Sequence, residues 1–164
     1  MPSNIELKIR LTSFGKYVSV LKSLELNKPV LLDQKDIYYE VKEGLLKLRI
    51  ENGKNYLIRY LRNERSKNRI SNYNLVEIKD KHAEKFFNNI FTVKAIVEKK
   101  RILYLYKNTR IHLDRVKKLG NFIELESVIT GNRRTALKEF REVINFLNLD
   151  IKKQIKKSYK DLIP

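Results

Sequence analysis

Aliphatic and charged residues alternate in strand-length runs along most of this chain, and no other feature of the sequence limits its fold as strongly. In residues 4–11 (NIELKIRL), Ile5, Leu7, Ile9 and Leu11 fall on one side of an extended segment, and Glu6, Lys8 and Arg10 on the other. In 45–50, Leu46, Leu48 and Ile50 oppose Lys47 and Arg49. In 97–103, Lys99 and Arg101 share a face with Leu103. In 110–114, Ile111 and Leu113 oppose Arg110, His112 and Asp114, and in 122–126, Ile123 and Leu125 oppose Glu124 and Glu126. Arg59, in YLIRY, has the register of Leu57.

Further strands are expected over 30–41, 72–78, 92–107, 109–116 and 119–130. Residues 44–62 read as a hairpin, because ENGK joins two alternating runs and Asn-Gly favours a tight hairpin turn. Helical spacing marks 13–26, with Ser13 as N-cap, 80–91, with Asp80 as cap, 132–149 and 150–163. Residues 63–71 (NERSKNRIS) read as a polar, basic loop. The order is strand and helix, then many strands, then two helices. That predicts an α+β protein, one domain over 1–164, built on a large antiparallel sheet. Eight such strands can close into a barrel with flanking helices, which removes both sheet edges.

Two architectures fit the parity. One is an open sheet with a wet face. The other is a barrel whose aliphatic faces pack outward against helices and whose ionic faces line a tunnel. Wet sheet faces favour Thr, Ser and Lys, whereas these positions are mostly Arg, Glu and Asp. A closed tunnel would hold the acids Glu6, Asp114, Glu124 and Glu126 among the bases Lys8, Arg10, Lys47, Arg49, Arg59, Lys99, Arg101 and Arg110. Such a basic lining suits a triphosphate, since guanidinium forks pair with phosphate oxygens. Carboxylates alone would repel that ligand. They make sense as ligands for Mg²⁺ or Mn²⁺ bridging to phosphate. Glu124 and Glu126 lie on one face about 7 Å apart and repel each other unless a cation separates them, so neutralising either should leave stability equal or improved.

The net charge of +17 asks for a polyanionic partner. A non-catalytic binder of RNA or polyphosphate would also use it, but recurring carboxylates on the ionic face weaken that second choice. The chain has no Cys and no long apolar run, so a cytoplasmic protein without membrane segment is expected, as monomer or homodimer. It carries no Gly-rich phosphate loop, His-Glu-x-x-His motif or nucleophile elbow. Tyr38, Tyr39, Tyr104 and Tyr106 read as core or wall. His112, between Arg110 and Asp114, is either an orienting residue or a neutral proton relay.

NIELK resembles the Glu-x-Glu-x-Lys strand of the CYTH family, the triphosphate tunnel metalloenzymes. QKDIYYEV, GLLKLRIENG, YLIRY, VEKKRILYLY, TRIHLDRVKKLGNFIELESV and SYKDLI are similar to the family pattern in the same order. The resemblance implies an eight-stranded antiparallel tunnel. It also implies metal on Glu6, Asp114, Glu124 and Glu126, and phosphates on Lys8, Arg49, Arg59, Lys99, Arg101 and Arg110. Lys8 and His112 are the candidate catalytic residues. Asn4 stands where the motif has its first Glu; its side chain still offers a neutral oxygen, and the number of metals stays open. The implied activity is metal-dependent cleavage of a phosphoanhydride in tripolyphosphate or thiamine triphosphate. The alternative is a class IV adenylate cyclase that turns ATP into cyclic AMP and pyrophosphate.

Overall fold

The structure is a computed structural model that describes residues 2–63 and 69–164. Its strands are β1 (Ser3–Leu11), β2 (Val30–Tyr39), β3 (Leu45–Glu51), β4 (Lys54–Asn63), β5 (Arg69–Ile78), β6 (Val93–Tyr106), β7 (Thr109–Val116) and β8 (Gly120–Val128). They close into an antiparallel barrel in the order β1-β5-β4-β3-β2-β6-β7-β8, so the expected α+β barrel is borne out. The helices among the described residues are α1 (Gly15–Ser23), α2 (Ala83–Ile90), α3 (Arg133–Phe146) and α4 (Tyr159–Leu162). None is long and apolar enough to cross a membrane. Part of the loop expected over 63–71, residues 64–68, lies outside the described residues, and its last residues belong to β5.

Outward-facing aliphatic side chains find helices. Ile5, Leu7, Ile9, Ile111, Leu113, Ile123 and Leu125 from β1, β7 and β8 pack with Leu21 of α1 and with Ala136, Phe140 and Val143 of α3. A second cluster sets Ile37, Tyr39 and Leu48 against Ala83, Phe87 and Phe91 in and beside α2. Full burial of each such aliphatic side chain contributes about 1.5–3 kcal/mol. A third cluster joins Tyr38, Val97, Val116 and Phe122 to Tyr159 of α4.

The β3–β4 turn has Asn52 at φ 47° and Gly53 at φ 82°, two positive values of the kind an Asn-Gly hairpin turn uses. The Asn52 side chain also accepts from the Asp33 N–H at 2.8 Å and so ties the turn to β2. Helix α1 starts with Phe14 rather than Ser13 at its N-cap and has no side-chain cap. Asp80 sits just ahead of α2, where its side chain accepts from His82 N–H at 2.7 Å.

Two joints matter for the site. β1 pairs with β8 over Asn4–Leu11, yet with β5 only over Ser3–Glu6. Beyond Glu6 its other edge is taken by the C-terminal segment, where Ile155 N–H donates to the Lys8 carbonyl at 2.8 Å. This pairing is why the helix expected over 150–163 does not form. A short 3-10 turn (Ile151–Lys153), capped by Asp150, gives way to non-helical chain that reaches α4. The apolar spacing of Ile151, Ile155 and Tyr159 is helical, but backbone pairing with β1 and burial of Tyr159 overrule it.

Candidate functional site

Inward-facing side chains surround a cavity of about 240 Å³ inside the barrel. On one wall, β1, β7 and β8 bring acids and bases into lateral register. Lys8 stands opposite Glu124 and Glu6 opposite Glu126 across β1–β8, while His112 stands opposite Glu124 and Arg110 opposite Glu126 across β7–β8. His112, Glu124 and Glu126 each offer a ligand atom, all within 4.8 Å of one another. Glu124 lies 3.4 Å from Lys8 Nζ and 3.2 Å from Arg101 Nη2, and Glu126 lies 2.8 Å from Arg110 Nη2. Glu6 Oε1 accepts from Ser71 Oγ at 2.6 Å.

Charge sets the protonation of this wall. Burial would raise the Glu124 pKa, but Lys8 and Arg101 hold it well below the usual carboxylate range. Glu126 is lowered as well: burial works to raise it, and the combined charge of Arg110 and its other neighbours outweighs burial. Burial and the Arg101 charge lower the His112 pKa, so its imidazole is neutral at pH 7. His112 Nδ1 sits 3.7 Å from Glu124 Oε1, beyond hydrogen-bond length. Among the described residues the buried side-chain atoms without a hydrogen-bond partner are His112 Nδ1, Arg110 Nε and Gln34 Oε1, and all three residues line the cavity.

The opposite wall, from β2, β3 and β6, centres on Asp36, which is fully buried. Its carboxylate accepts from Lys47 Nζ at 2.9 Å, from Lys99 Nζ at 3.0 Å, and from Arg49 Nε and Nη2 at 2.7 Å each. Burial works to raise the Asp36 pKa, yet Arg49, Lys47 and Lys99 hold it well below the carboxylate range. Burial and neighbouring cations push Lys99 down to about 7 and Lys47 down to about 8. Arg49 and Arg101 remain charged: burial opposes their charge, but Asp36 and Asp114 respectively outweigh it.

The CYTH domain profile matches residues 3–159. The chain belongs to the CYTH family. A Methanocaldococcus jannaschii protein provisionally named an adenylate cyclase is 29% identical over 171 residues, covering 96% of this chain and 97% of its own. The PH1012 protein of Pyrococcus horikoshii superposes with a TM-score of 0.86 at 28% identity, over 98% of this chain and 99% of that one. A Hippeastrum protein provisionally named an adenylyl cyclase, and described as having a dominant triphosphatase activity, has a TM-score of 0.63 over 90% of this chain and 88% of its own. At 15% identity that likeness speaks for the fold alone.

Within this CYTH tunnel the residues singled out from sequence separate into two groups. Glu6, Lys8, Lys47, Arg49, Lys99, Arg101, Arg110, His112, Glu124 and Glu126 line one cavity, together with Asn4. Asp114, Arg59 and Arg10 do not. Asp114 is fully buried behind the wall, where it accepts from Arg101 Nε and Nη2 at 2.6 and 2.7 Å and from the Tyr159 hydroxyl at 2.7 Å. It orients Arg101 and is not in the metal-donor group. Arg59 is exposed, because β4 turns Tyr56, Ile58 and Tyr60 inward and leaves Leu57 and Arg59 on the opposite parity. Arg10 lies past the cavity at the end of β1, exposed, with its guanidinium 4.7 Å from the Phe122 ring centroid and donating to the Leu119 carbonyl.

Sequence reasoning missed Asp36 and Tyr159. β2 mixes charge and apolar side chains on both faces, so parity alone did not flag Asp36. The signal was its position opposite Arg49, visible once the β2–β3 register is known. Tyr159 was hidden by the expected long helix.

Proposed function

We propose that this protein is a divalent-metal-dependent enzyme that hydrolyses the phosphoanhydride of a small triphosphate, tripolyphosphate or thiamine triphosphate. The observation that carries this reading is the pairing of two unlike walls in one cavity. Three cations converge on Asp36 across from the His112, Glu124 and Glu126 donor group. Triphosphate oxygens suit the cation wall, with Arg101 and Arg110 extending it, because charge-assisted forks match phosphate geometry. The opposite donor set fits Mg²⁺ or Mn²⁺, because the carboxylate oxygens of Glu124 and Glu126 are hard donors. Glu124 and Glu126 would hold the ion, with Glu6 across the strand pair. Such an ion, when bound, polarises a phosphoryl oxygen and offsets charge in the transition state.

The chain's own groups then do the rest. Lys47, Arg49, Lys99, Arg101 and Arg110 align the phosphates, and Lys8 neutralises oxygens nearest Glu124. Water attacks the terminal phosphorus, its bond to the bridging oxygen breaks, and pyrophosphate leaves from tripolyphosphate. The neutral His112 takes the water proton at Nδ1.

A second reading, cyclisation of ATP, has one observation in its favour. Tyr56, Tyr60 and Tyr73 line the same cavity, and Gln34 Oε1 there has no partner, so a base has aromatic faces and an acceptor to meet. The 29%-identical relative bears a cyclase name. The deciding experiment incubates tripolyphosphate, thiamine triphosphate and ATP with Mg²⁺ or Mn²⁺ and follows phosphate, pyrophosphate and cyclic AMP separately. Phosphate release from tripolyphosphate, abolished by excess chelator, is expected. Full turnover in chelator would sink the metal assignment. Cyclic AMP from ATP at the faster rate would put the cyclase first.

A further inference from the structure

We infer that Tyr159 of α4 is a positioning residue for both walls of the site, seating two lysine ammonium groups with its ring and fixing Arg101 with its hydroxyl. This rests on the triphosphate reading of the cavity. Tyr159 comes from the C-terminal segment, outside the barrel strands, yet it is 3% exposed and lines the cavity. Its ring packs edge-on against Phe122 with centroids 5.0 Å apart. Lys8 Nζ lies 4.2 Å from the ring centroid and Lys99 Nζ 5.5 Å from it. One ring thus meets a cation from each wall, and an aromatic face attracts an ammonium most strongly where water is displaced. The same segment supplies the Lys157 carbonyl, which accepts from Lys8 Nζ at 3.2 Å.

The hydroxyl acts along a different line. It donates to Asp114 Oδ2 at 2.7 Å, Asp114 holds Arg101 in a fork, and Arg101 Nη2 donates to Glu124 Oε1 at 3.2 Å. The chain from Tyr159 through Asp114 and Arg101 to Glu124 is continuous. Removing the hydroxyl leaves Asp114 with one donor fewer and loosens Arg101, whose aim sets the position of Glu124. Ring and hydroxyl therefore have separable consequences: the ring bears on anion binding through Lys8 and Lys99, and the hydroxyl bears on the aim of Arg101 and, through it, on Glu124.

Two variants test this on the full chain. Tyr159→Phe keeps the ring. Metal-free tripolyphosphate affinity by titration calorimetry should fall by less than about threefold, since Arg101 is one of several cations that align the phosphates, while kcat falls about tenfold and the Mn²⁺ concentration for half-maximal activity rises. Tyr159→Leu removes the ring as well and should also weaken metal-free tripolyphosphate binding by about tenfold. If both variants merely melt earlier, with kcat and tripolyphosphate affinity of the folded protein unchanged, Tyr159 is a stopper and the inference is wrong. Should Tyr159→Leu fail to fold, Tyr159→Phe still decides: wild-type kcat and metal dependence would overturn the hydroxyl's role. Absence of tripolyphosphate binding in wild type itself would instead overturn the triphosphate reading beneath it.

Discussion

On the β2–β3–β6 side of the cavity one carboxylate, Asp36, serves three cations. On the β1–β7–β8 side three carboxylates have donors of their own: Ser71 for Glu6, Lys8 and Arg101 for Glu124, and Arg110 for Glu126. The first arrangement leaves a surplus of positive charge around a fixed centre. The second leaves carboxylate oxygens close together with their charge only partly matched. A buried charge is tolerated when paired and hydrogen-bonded, so each wall's imbalance points to the ligand it suits, an anion on one side and a cation on the other.

Asp36→Asn should have the largest effect of any single change. Lys47, Arg49 and Lys99 would lose their shared carboxylate, and removing one partner of a buried ionic cluster costs about 3–5 kcal/mol, measurable by denaturant unfolding. Because the folded Asp36 pKa is depressed, its stabilisation is present above the unfolded carboxylate pKa and is lost as pH falls through the folded value. Excess tripolyphosphate should restore more stability to this variant than to wild type, since the anion takes the carboxylate's place. Equal stabilisation of the two would break the contrast between walls.

Glu126→Gln comes next, with turnover about 10²-fold lower from loss of charge at the proposed metal site. The expectation that neutralising either glutamate relieves repulsion needs revising. Arg110 holds the Glu126 pKa below its ordinary value, so ionisation favours the fold above the ordinary carboxyl range. The variant should therefore melt no higher than wild type. A near-normal rate would show that the acid is not part of the chemistry.

A smaller effect is expected from pH on the clamp. Lys99 and Lys47 titrate near 7 and 8, and a bound phosphate favours their charged forms. Metal-free tripolyphosphate affinity should fall about tenfold as pH rises from about 6 to about 9, with proton uptake on binding near neutrality. For the ligand-free protein the sign is opposite. Between the folded value of about 7 and the unfolded lysine value near 10.4, the unfolded state holds the Lys99 proton and the folded state does not, so this group's contribution to stability rises with pH. A flat binding profile would remove the lysines from the clamp.

The smallest effect belongs to Arg59→Ala. An exposed side chain outside the cavity should leave turnover unchanged and stability within about 0.5 kcal/mol. A large loss of triphosphate affinity would return Arg59 to the site.

Parity carried the sequence reading where a strand has one aliphatic face and one ionic face, as β1, β3, β7 and β8 do. There it located both the barrel and most of the cavity lining. It misplaced Arg59 because β4 lines the cavity with tyrosines and isoleucine, so the apolar face is not the outer one. Asp114 shares the parity of His112 and Arg110, yet parity cannot tell a wall residue from one sealed behind it by Arg101 and Tyr159. The C-terminal stretch was misread because its conformation is decided by pairing with β1, a partner about 150 residues away, which local spacing cannot register.

β1 carries Asn4, Glu6 and Lys8, but its hydrogen-bonded neighbours are β5 and β8, with Ile155 beyond them. During synthesis the first strand therefore leaves the ribosome long before the strands that will hold it. At roughly 5–20 residues per second, on the order of ten seconds separate β1 from β8. The charged interior cannot close in order of synthesis, because β1 waits for β8 and for the segment around Ile155. Until then Glu6 and Lys8 of β1 lack the strand partner that brings Glu126 and Glu124 beside them.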